Sequence, residues 1–498
     1  MQEGSLRDKA VSGATWKLVE ISVAHVMTFV VELYLARKLA PSDYGLVGML
    51  AIFFGLAMVL ADSGFSSALI QRQNRTREDF STVFVFNIVS SLIIYSLFVV
   101  FAPSIAAFYN EPLLKTIIYV SALTFIIRGF TSIHFAKLNI DLRFSTLSKI
   151  SLVGTFTAGL TGVLLAYFGF GIWALVFQGI ASALITGVIV WICSGLRPTI
   201  GFSRKSFRSL FSYGGNMLGS GIINCIYGNL YTLVIGKGFS PTAVGFYNRA
   251  NGYAAMPGNI VNDVALRVNF PILVKLQNDN ERLISAYEKL LKVPFFILYP
   301  LLVGLIVCAE PLIEVLIGSK WLPCVPYMRI LCVGYMFFPL NGFNMNILYA
   351  KGRTDISFKL EFIKKPIGLL LLFASLPFGI IWMMVGKALY SVIVYFINCY
   401  YTNKIVGYGL VRQIQILLPM LGNSLVMGLV VFFSMRAVSD SAMKLLIGIP
   451  VGMLCYFMLA YIRKDESLLE IIDIIKNKFL KMDNKELEQV NHNSNENN

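Results

Sequence analysis

Apolar runs of about twenty residues, long enough to cross a bilayer as helices, alternate along this chain with short polar connections. Fourteen are predicted, near 12–36, 44–64, 80–102, 113–133, 150–168, 171–193, 213–236, 244–268, 290–309, 327–350, 361–378, 381–402, 414–435 and 443–462. The eighth, GFYNRANGYAAMPGNIVNDVALRV, is the most polar. The connections alternate in charge: with Lys292, Lys364, Lys365, Lys115 and Lys444 at the adjoining run ends included, the even-numbered loops hold twenty-one Lys and Arg, the odd-numbered loops seven. Positive charge collects on the cytoplasmic side, so both termini are expected there. No short apolar core followed by a small-residue cleavage site opens the chain, so the first hydrophobic helix is expected to remain.

The pattern also repeats. Residues 35–45, LARKLAPSDYG, align with residues 235–245, IGKGFSPTAVG, at an offset of 200, with Pro and Gly in register. Ala102-Pro103-Ser104-Ile105 aligns with Ala309-Glu310-Pro311-Leu312 at 207, and Gly171-Ile172-Trp173 with Ile380-Ile381-Trp382 at 209. A slow drift in one direction is what duplication followed by small insertions leaves. The predicted fold is an all-α polytopic membrane protein of about 14 transmembrane helices, built from two six-helix parallel repeats plus two extra C-terminal helices. Residues 1–193 form the N-terminal six-helix lobe, 194–212 a cytoplasmic basic linker and 213–402 the C-terminal six-helix lobe. Residues 403–462 hold helices 13 and 14, and 463–498 a cytoplasmic amphipathic segment and disordered tail. The linker, SGLRPTIGFSRKSFRSLFS, carries Arg197, Arg204, Lys205 and Arg208 without an acid. It reads either as a hinge between the lobes or as one basic loop among several, anchored at an anionic leaflet.

Composition narrows the function. Of 498 residues 56% are hydrophobic and 14% charged, and the mean hydropathy is +0.70, where a soluble domain would carry about 25% charged residues. The net charge of +15 sits in short loops between apolar segments, which is a topology signal and no nucleic-acid groove. Seven cysteines are scattered without a CxxC or a ligand-spaced histidine; they read as small hydrophobes, with neither a disulfide framework nor a metal site. No connection is long enough for a soluble catalytic domain, and no P-loop, HExxH or GxSxG occurs. No enzyme and no cofactor is expected.

Ionisable residues within membrane helices are costly and mark candidate function. At about 100° per residue, Lys17, His25, Thr28 and Glu32 form one polar stripe of the first helix, with Glu20 on its flank. Glu20, His25 and Glu32 are ion-coupling candidates, His25 being titratable near neutral pH; the alternative is that Lys17 and Glu32 only reach the interfaces. Arg128, Arg249, Arg329 and Lys387 lie in helices 4, 8, 10 and 12 and would suit an anionic ligand such as a lipid diphosphate. Snorkelling is the competing reading for all four, with Arg128 placed about five residues inside the cytoplasmic end of its helix. Asp62 and Arg267 read as anchors at helix ends. Helices 7 and 8 are rich in Gly, Asn and Pro, which serves either close packing or bending.

The patterns LARKLAPSDYGLVGML, ADSGFSSALIQR, YFGFGIWALV, VGFYNRA, FPILVKLQ and AEPLIEVLIGSKWLPCVPYMRIL resemble the polysaccharide transporter branch of the multidrug/oligosaccharidyl-lipid/polysaccharide flippase superfamily, the Wzx-like colanic-acid and lipopolysaccharide exporters. The resemblance covers about residues 5 to 410. It implies two bundles facing each other in a V around a cavity that opens alternately to each side. It also implies transport of undecaprenyl-diphosphate-linked oligosaccharide across the bacterial cytoplasmic (inner) membrane, coupled to a proton or sodium gradient. The implied partners are membrane lipids and the polysaccharide assembly machinery. Arg249, in YNRA, stands where similar sequences carry an arginine, whereas Gly228 and Tyr231 depart from an Arg and Asp of that pattern. A multidrug or cation antiporter of the same superfamily is the first alternative, and a membrane glycosyltransferase or polysaccharide polymerase the second.

Overall fold

The computed structural model describes residues 23–62 and 65–469, without the side chains of residues 62, 67, 211–217, 220, 264 and 267. Lys17 and Glu20, the side chains of Asp62 and Arg267, and the chain beyond residue 469 therefore lie outside the described residues. Every regular element among the described residues is helical. Contacts divide the chain into two compact units, Asn248 ending the first and Arg249 beginning the second.

The first unit holds α1 (23–38), α2 (Pro41–Met49), α3 (Ala51–Asp62), α4 (Phe65–Gln71), α5 (Arg77–Tyr109), α6 (Leu113–Ser121), α7 (Leu123–Ile140), α8 (Phe144–Tyr167), α9 (Trp173–Ser194), α10 (Arg204–Gly238) and the opening turns of α11 (Pro241–Val264). The second holds the rest of α11, a π-helical turn (Ala265–Asn269), α12 (Phe270–Lys275), α13 (Asn280–Val307), α14 (Ala309–Ile317), a 3-10 turn (Ser319–Cys324), α15 (Val325–Ala350), α16 (Thr354–Ser375), α17 (Ile380–Val406), α18 (Leu410–Arg436) and α19 (Ser441–Ile462). Ten helical stretches among the described residues are long and apolar enough to cross a membrane, and they correspond to ten of the fourteen predicted runs. The first run is only partly described. α10, α11 and α16 have the length of spans but a more polar composition, α16 carrying Lys359, Glu361, Lys364 and Lys365 in its first half.

Local chemistry sets the helix ends. Thr76 Oγ1 accepts the Asp79 amide at 3.2 Å while Asp79 Oδ2 accepts the Thr76 amide at 2.9 Å, a reciprocal cap that starts α5. α5 ends at Asn110, left-handed at φ +58°, a conformation asparagine tolerates. Asp279 and Asp440 cap α13 and α19 one-sidedly, accepting the Arg282 and Met443 amides at 3.1 and 2.9 Å.

In the first unit α5 is the central helix, packing on α3, α6, α7 and α10. Phe65 of α4 is fully buried between the rings of Phe86 and Phe207, centroids 4.1 and 5.4 Å away. That stack joins α4, α5 and α10 with Val83, Phe84, Ile133 and Leu210. Residues 195–203, which connect α9 to α10, are tied down at both ends. Arg143 Nη1 donates to the Cys193 carbonyl at 2.8 Å, and His134 Nδ1 lies 2.7 Å from Ser194 Oγ. Thr199 Oγ1 lies 2.7 Å from Ser81 Oγ, and the Ser203 amide donates to Thr82 Oγ1 at 3.0 Å. The connection therefore rests on α5 and α7, and from Arg204 onward the chain is already helical.

The two segments aligned at an offset of 200 meet each other. A Cβ on Gly45 would lie 1.7 Å from the Pro241 carbonyl oxygen, and a Cβ on Gly245 would lie 2.1 Å from the Pro41 carbonyl oxygen. Backbone thus touches backbone reciprocally where α2 and α11 begin, a separation that only glycine permits. Tyr109 closes the same region, donating from its hydroxyl to the Met49 carbonyl at 3.1 Å and lying under Gly236 of α10.

Gly45→Ala and Gly245→Ala are each expected to lower the thermal stability of the purified protein by ~1–3 kcal/mol, because the contacted atoms are backbone and cannot turn aside. Gly252→Ala is the control. No atom lies within 4 Å of the added methyl there, and the same substitution should be neutral or slightly stabilising.

Candidate functional site

Three helices of the second unit bring polar side chains to one point. α11 supplies Arg249 and Asn251, α15 Tyr335 and α17 Lys387. Asn251 Oδ1 accepts from Lys387 Nζ at 2.8 Å and from Tyr335 Oη at 2.9 Å. The amide oxygen is thereby fixed toward two donors, which orients the Asn251 side chain. Lys387 lies seven residues into α17, ~10 Å along the helix at 1.5 Å per residue. Its ammonium ends on a neutral acceptor within the bundle. Arg249, half-buried, places its guanidinium carbon 5.8 Å from the centre of the Trp321 ring, a cation–π separation. Trp321 is fully buried in the 3-10 turn before α15, so the ring is a fixed platform. Arg249 and Lys387, predicted separately, thus share one neighbourhood built on Asn251, Tyr335 and Trp321.

Arg329 does not join them. Its Nε donates to the Ile306 carbonyl at 3.1 Å and its Nη2 lies 3.9 Å from Glu310, with both side chains exposed. An exposed ion pair at the start of α15 anchors a helix end and adds little energy.

Arg128 differs from its predicted depth. α7 runs on to Ile140, twelve residues past Arg128, so the guanidinium starts ~18 Å from that end at 1.5 Å per residue. The expectation of five residues rested on ending the helix at 133, where the apolar run stops. Helix propensity in HFAKLNI carries it nearly two turns further. Arg128 is the sixteenth residue of the 28-residue span Leu113–Ile140, close to its centre. It is exposed and has no acidic partner among the described residues.

His25, Thr28 and Glu32 of α1 are all exposed, and so are Val26, Phe29 and Val30. Burial of this helix begins at Leu35, which packs with Leu39 against Ala166 and Ala174. Glu20 lies outside the described residues.

The composition reading passed over a second polar group in this unit. Asn344 and Gln413, both fully buried, exchange amide hydrogen bonds at 3.2 and 2.8 Å across α15 and α18. Cys399 Sγ donates to the same Gln413 oxygen at 3.3 Å, and Asn398 Nδ2 donates to Asn341 Oδ1 at 3.1 Å. Asn344 and Gln413 satisfy each other, and Asn341 donates in turn to the Ser391 carbonyl at 3.4 Å, pairing of the kind that polar groups in a membrane interior require. The available signal was single Asn and Gln residues inside otherwise apolar runs. Lys364 was missed as well: it is buried in α16 and paired with Glu361 at 3.2 Å.

A family model described as polysaccharide biosynthesis protein matches residues 34–326, more than half of the chain. The chain is 28% identical over 472 residues to the teichuronic acid biosynthesis protein TuaB of Bacillus subtilis, covering 91% of this chain and 96% of that one. It is 27% identical to the lipopolysaccharide biosynthesis protein WzxC of Escherichia coli, over 72% of this chain and 74% of that one. Among solved structures, the lipid II flippase MurJ in an inward closed conformation superimposes with a TM-score of 0.72 at 16% identity, over 90% of this chain and 98% of that one. At that identity the likeness concerns the fold.

Removing the acceptor shared by Lys387 and Tyr335 should be felt in folding. Asn251→Ala is expected to cost ~1–3 kcal/mol of stability, the loss of one acceptor shared by two half-buried donors. In a double-mutant cycle with Tyr335→Phe, read by thermal unfolding, the two costs should add to less than their sum.

Proposed function

The chain belongs to the polysaccharide biosynthesis protein family, and from that membership we propose that it moves an undecaprenyl-diphosphate-linked oligosaccharide from the cytoplasmic to the outer leaflet of the bacterial inner membrane. It is a Wzx-like membrane transporter of polysaccharide biosynthesis, and the proposal specifies its cargo, direction and driving force. The cargo joins a hydrated glycan and a diphosphate to a lipid tail. Only the tail is at home in hydrocarbon, so the protein must offer the charged part a polar path while the tail stays in the bilayer.

The observation that carries the reading is Arg128. A permanently charged guanidinium at the centre of a span, exposed and without an acidic partner, is tolerated only where it meets water or an anion. Arginine presents a planar fork of donors matched to phosphate oxygens. Arg249 and Lys387, eight and seven residues into α11 and α17, give the second unit cations nearer to its helix ends. Flipping proceeds by alternating access, with both termini cytoplasmic. Glu20, His25 and Glu32 on the first helix are assigned to proton or sodium coupling, and the delivered unit passes to the polysaccharide assembly machinery.

Arg128→Ala and Arg249→Ala are each expected to cut surface glycan at least ~10-fold, the loss of one charge-assisted phosphate contact. Membrane insertion should be unchanged and lipid-linked oligosaccharide should accumulate inside the cell. Arg128→Lys should restore only part of the export, since a point charge lacks the fork. Normal surface glycan in both alanine variants would end this reading.

A further inference from the structure

We propose that residues 195–203, with the first turns of α10, form a binding site for the acidic phospholipid head groups of the cytoplasmic leaflet. The site is independent of the cations assigned to the cargo and rests on the cytoplasmic orientation that loop charge implies. Its backbone course is the first argument. Thr199 and Ser203 are hydrogen-bonded to Ser81 and Thr82 of α5, and Gly201 lies with its Cα face against Ser81. Alternate residues 199, 201 and 203 therefore make the contacts to α5, although Thr199 and Gly201 stay exposed. The intervening pair, Ile200 and Phe202, points away, as period-two alternation in an extended segment requires. Ile200 is 92% exposed and Phe202 56%, although Phe202 leans on Phe207 with ring centroids 5.5 Å apart. Two large apolar side chains are thus held outward by a strap that cannot fold them in.

Charge is the second argument. Arg197, Arg204, Lys205 and Arg208 flank this pair and are all exposed. None has an acidic partner among the described residues. The neighbouring acids are already engaged: Asp79 holds Arg72 at 2.9 Å and Asp141 holds Lys137 at 2.5 Å. Other nearby cations are likewise occupied, Arg75 donating to the carbonyls of Leu69 and Ile70 and Arg143 to that of Cys193. Glu78, exposed at the start of α5, leaves the patch strongly positive. The four side chains carry the inference; the start of α10 only adds to the potential. Its first turn carries Arg204 and Lys205 without an acid, against the preference of that helix end, whereas α5 opens with Glu78 and Asp79.

Outward apolar side chains ringed by cations fit one environment, the interface of an anionic leaflet. Ile200 and Phe202 sink to the acyl boundary there while the four cations meet phosphates. A soluble anion would satisfy the charges and leave Ile200 and Phe202 in water.

The test uses the full-length protein in lipid bilayer discs of phosphatidylcholine with and without phosphatidylglycerol, with the lipids retained on release counted by native mass spectrometry. The native chain should retain phosphatidylglycerol preferentially. The variant Arg197→Gln/Arg204→Gln/Lys205→Gln/Arg208→Gln should lower that preference about tenfold, with its melting temperature in detergent unchanged. The variant with Lys at positions 197, 204 and 208 should keep the preference. Ile200→Ser/Phe202→Ser, which leaves α10 untouched, should weaken retention of both lipids. Native selectivity in the four-Gln variant would overturn the proposal. So would selective displacement of phosphatidylglycerol from the native chain by added undecaprenyl diphosphate, which would make the patch a capture point for cargo.

Discussion

The carbonyls of Pro41 and Pro241 each lie against the other segment's glycine, and much of the first unit depends on that approach. Because backbone meets backbone, neither side can adjust by turning a side chain. α2 and α11 must begin at one place, and with them the helices that lead in, α1 and α10. α10 then extends alongside α3, α4 and α5, whereas the repeat expected from the sequence would place it in the second lobe. The contact seam falls later, between Asn248 and Arg249. An expected repeat boundary comes from likeness of sequence, whereas a contact boundary records which surfaces bury each other. The two coincide only when the first helix of a copy packs with its own copy.

A second constraint comes from the solvent. In hydrocarbon every polar group needs a partner or water, and the second unit meets that demand in two ways. Asn344, Gln413 and Cys399 form one hydrogen-bonded group and Asn398 with Asn341 another, the second leaning on the Ser391 carbonyl. Lys387 and Tyr335 converge instead on a single oxygen of Asn251, beside Arg249 on its Trp321 platform. The first arrangement links neutral amides, while the second gathers two basic side chains around one amide oxygen and one indole ring. Arg329, exposed and beside Glu310, belongs to neither.

What the sequence by itself determined was the class of the protein, a helical multi-pass membrane protein, because the apolar runs have the length of a bilayer. It also marked Arg128, Arg249 and Lys387, since a charge inside an apolar run is visible without coordinates. The depth of Arg128 was not legible, because hydropathy locates where a run turns polar and α7 continues for seven residues past that point. Nor were the partners Asn251, Tyr335 and Trp321. They come from residues up to 136 positions apart, and nothing local distinguishes them from packing residues. Only the tertiary structure decided which polar groups close on each other, which cations stay open, and that the basic connection after α9 is strapped to α5 with Ile200 and Phe202 outward. Those are properties of distance across helices, and one-dimensional periodicity carries the face a residue occupies without saying what that face meets.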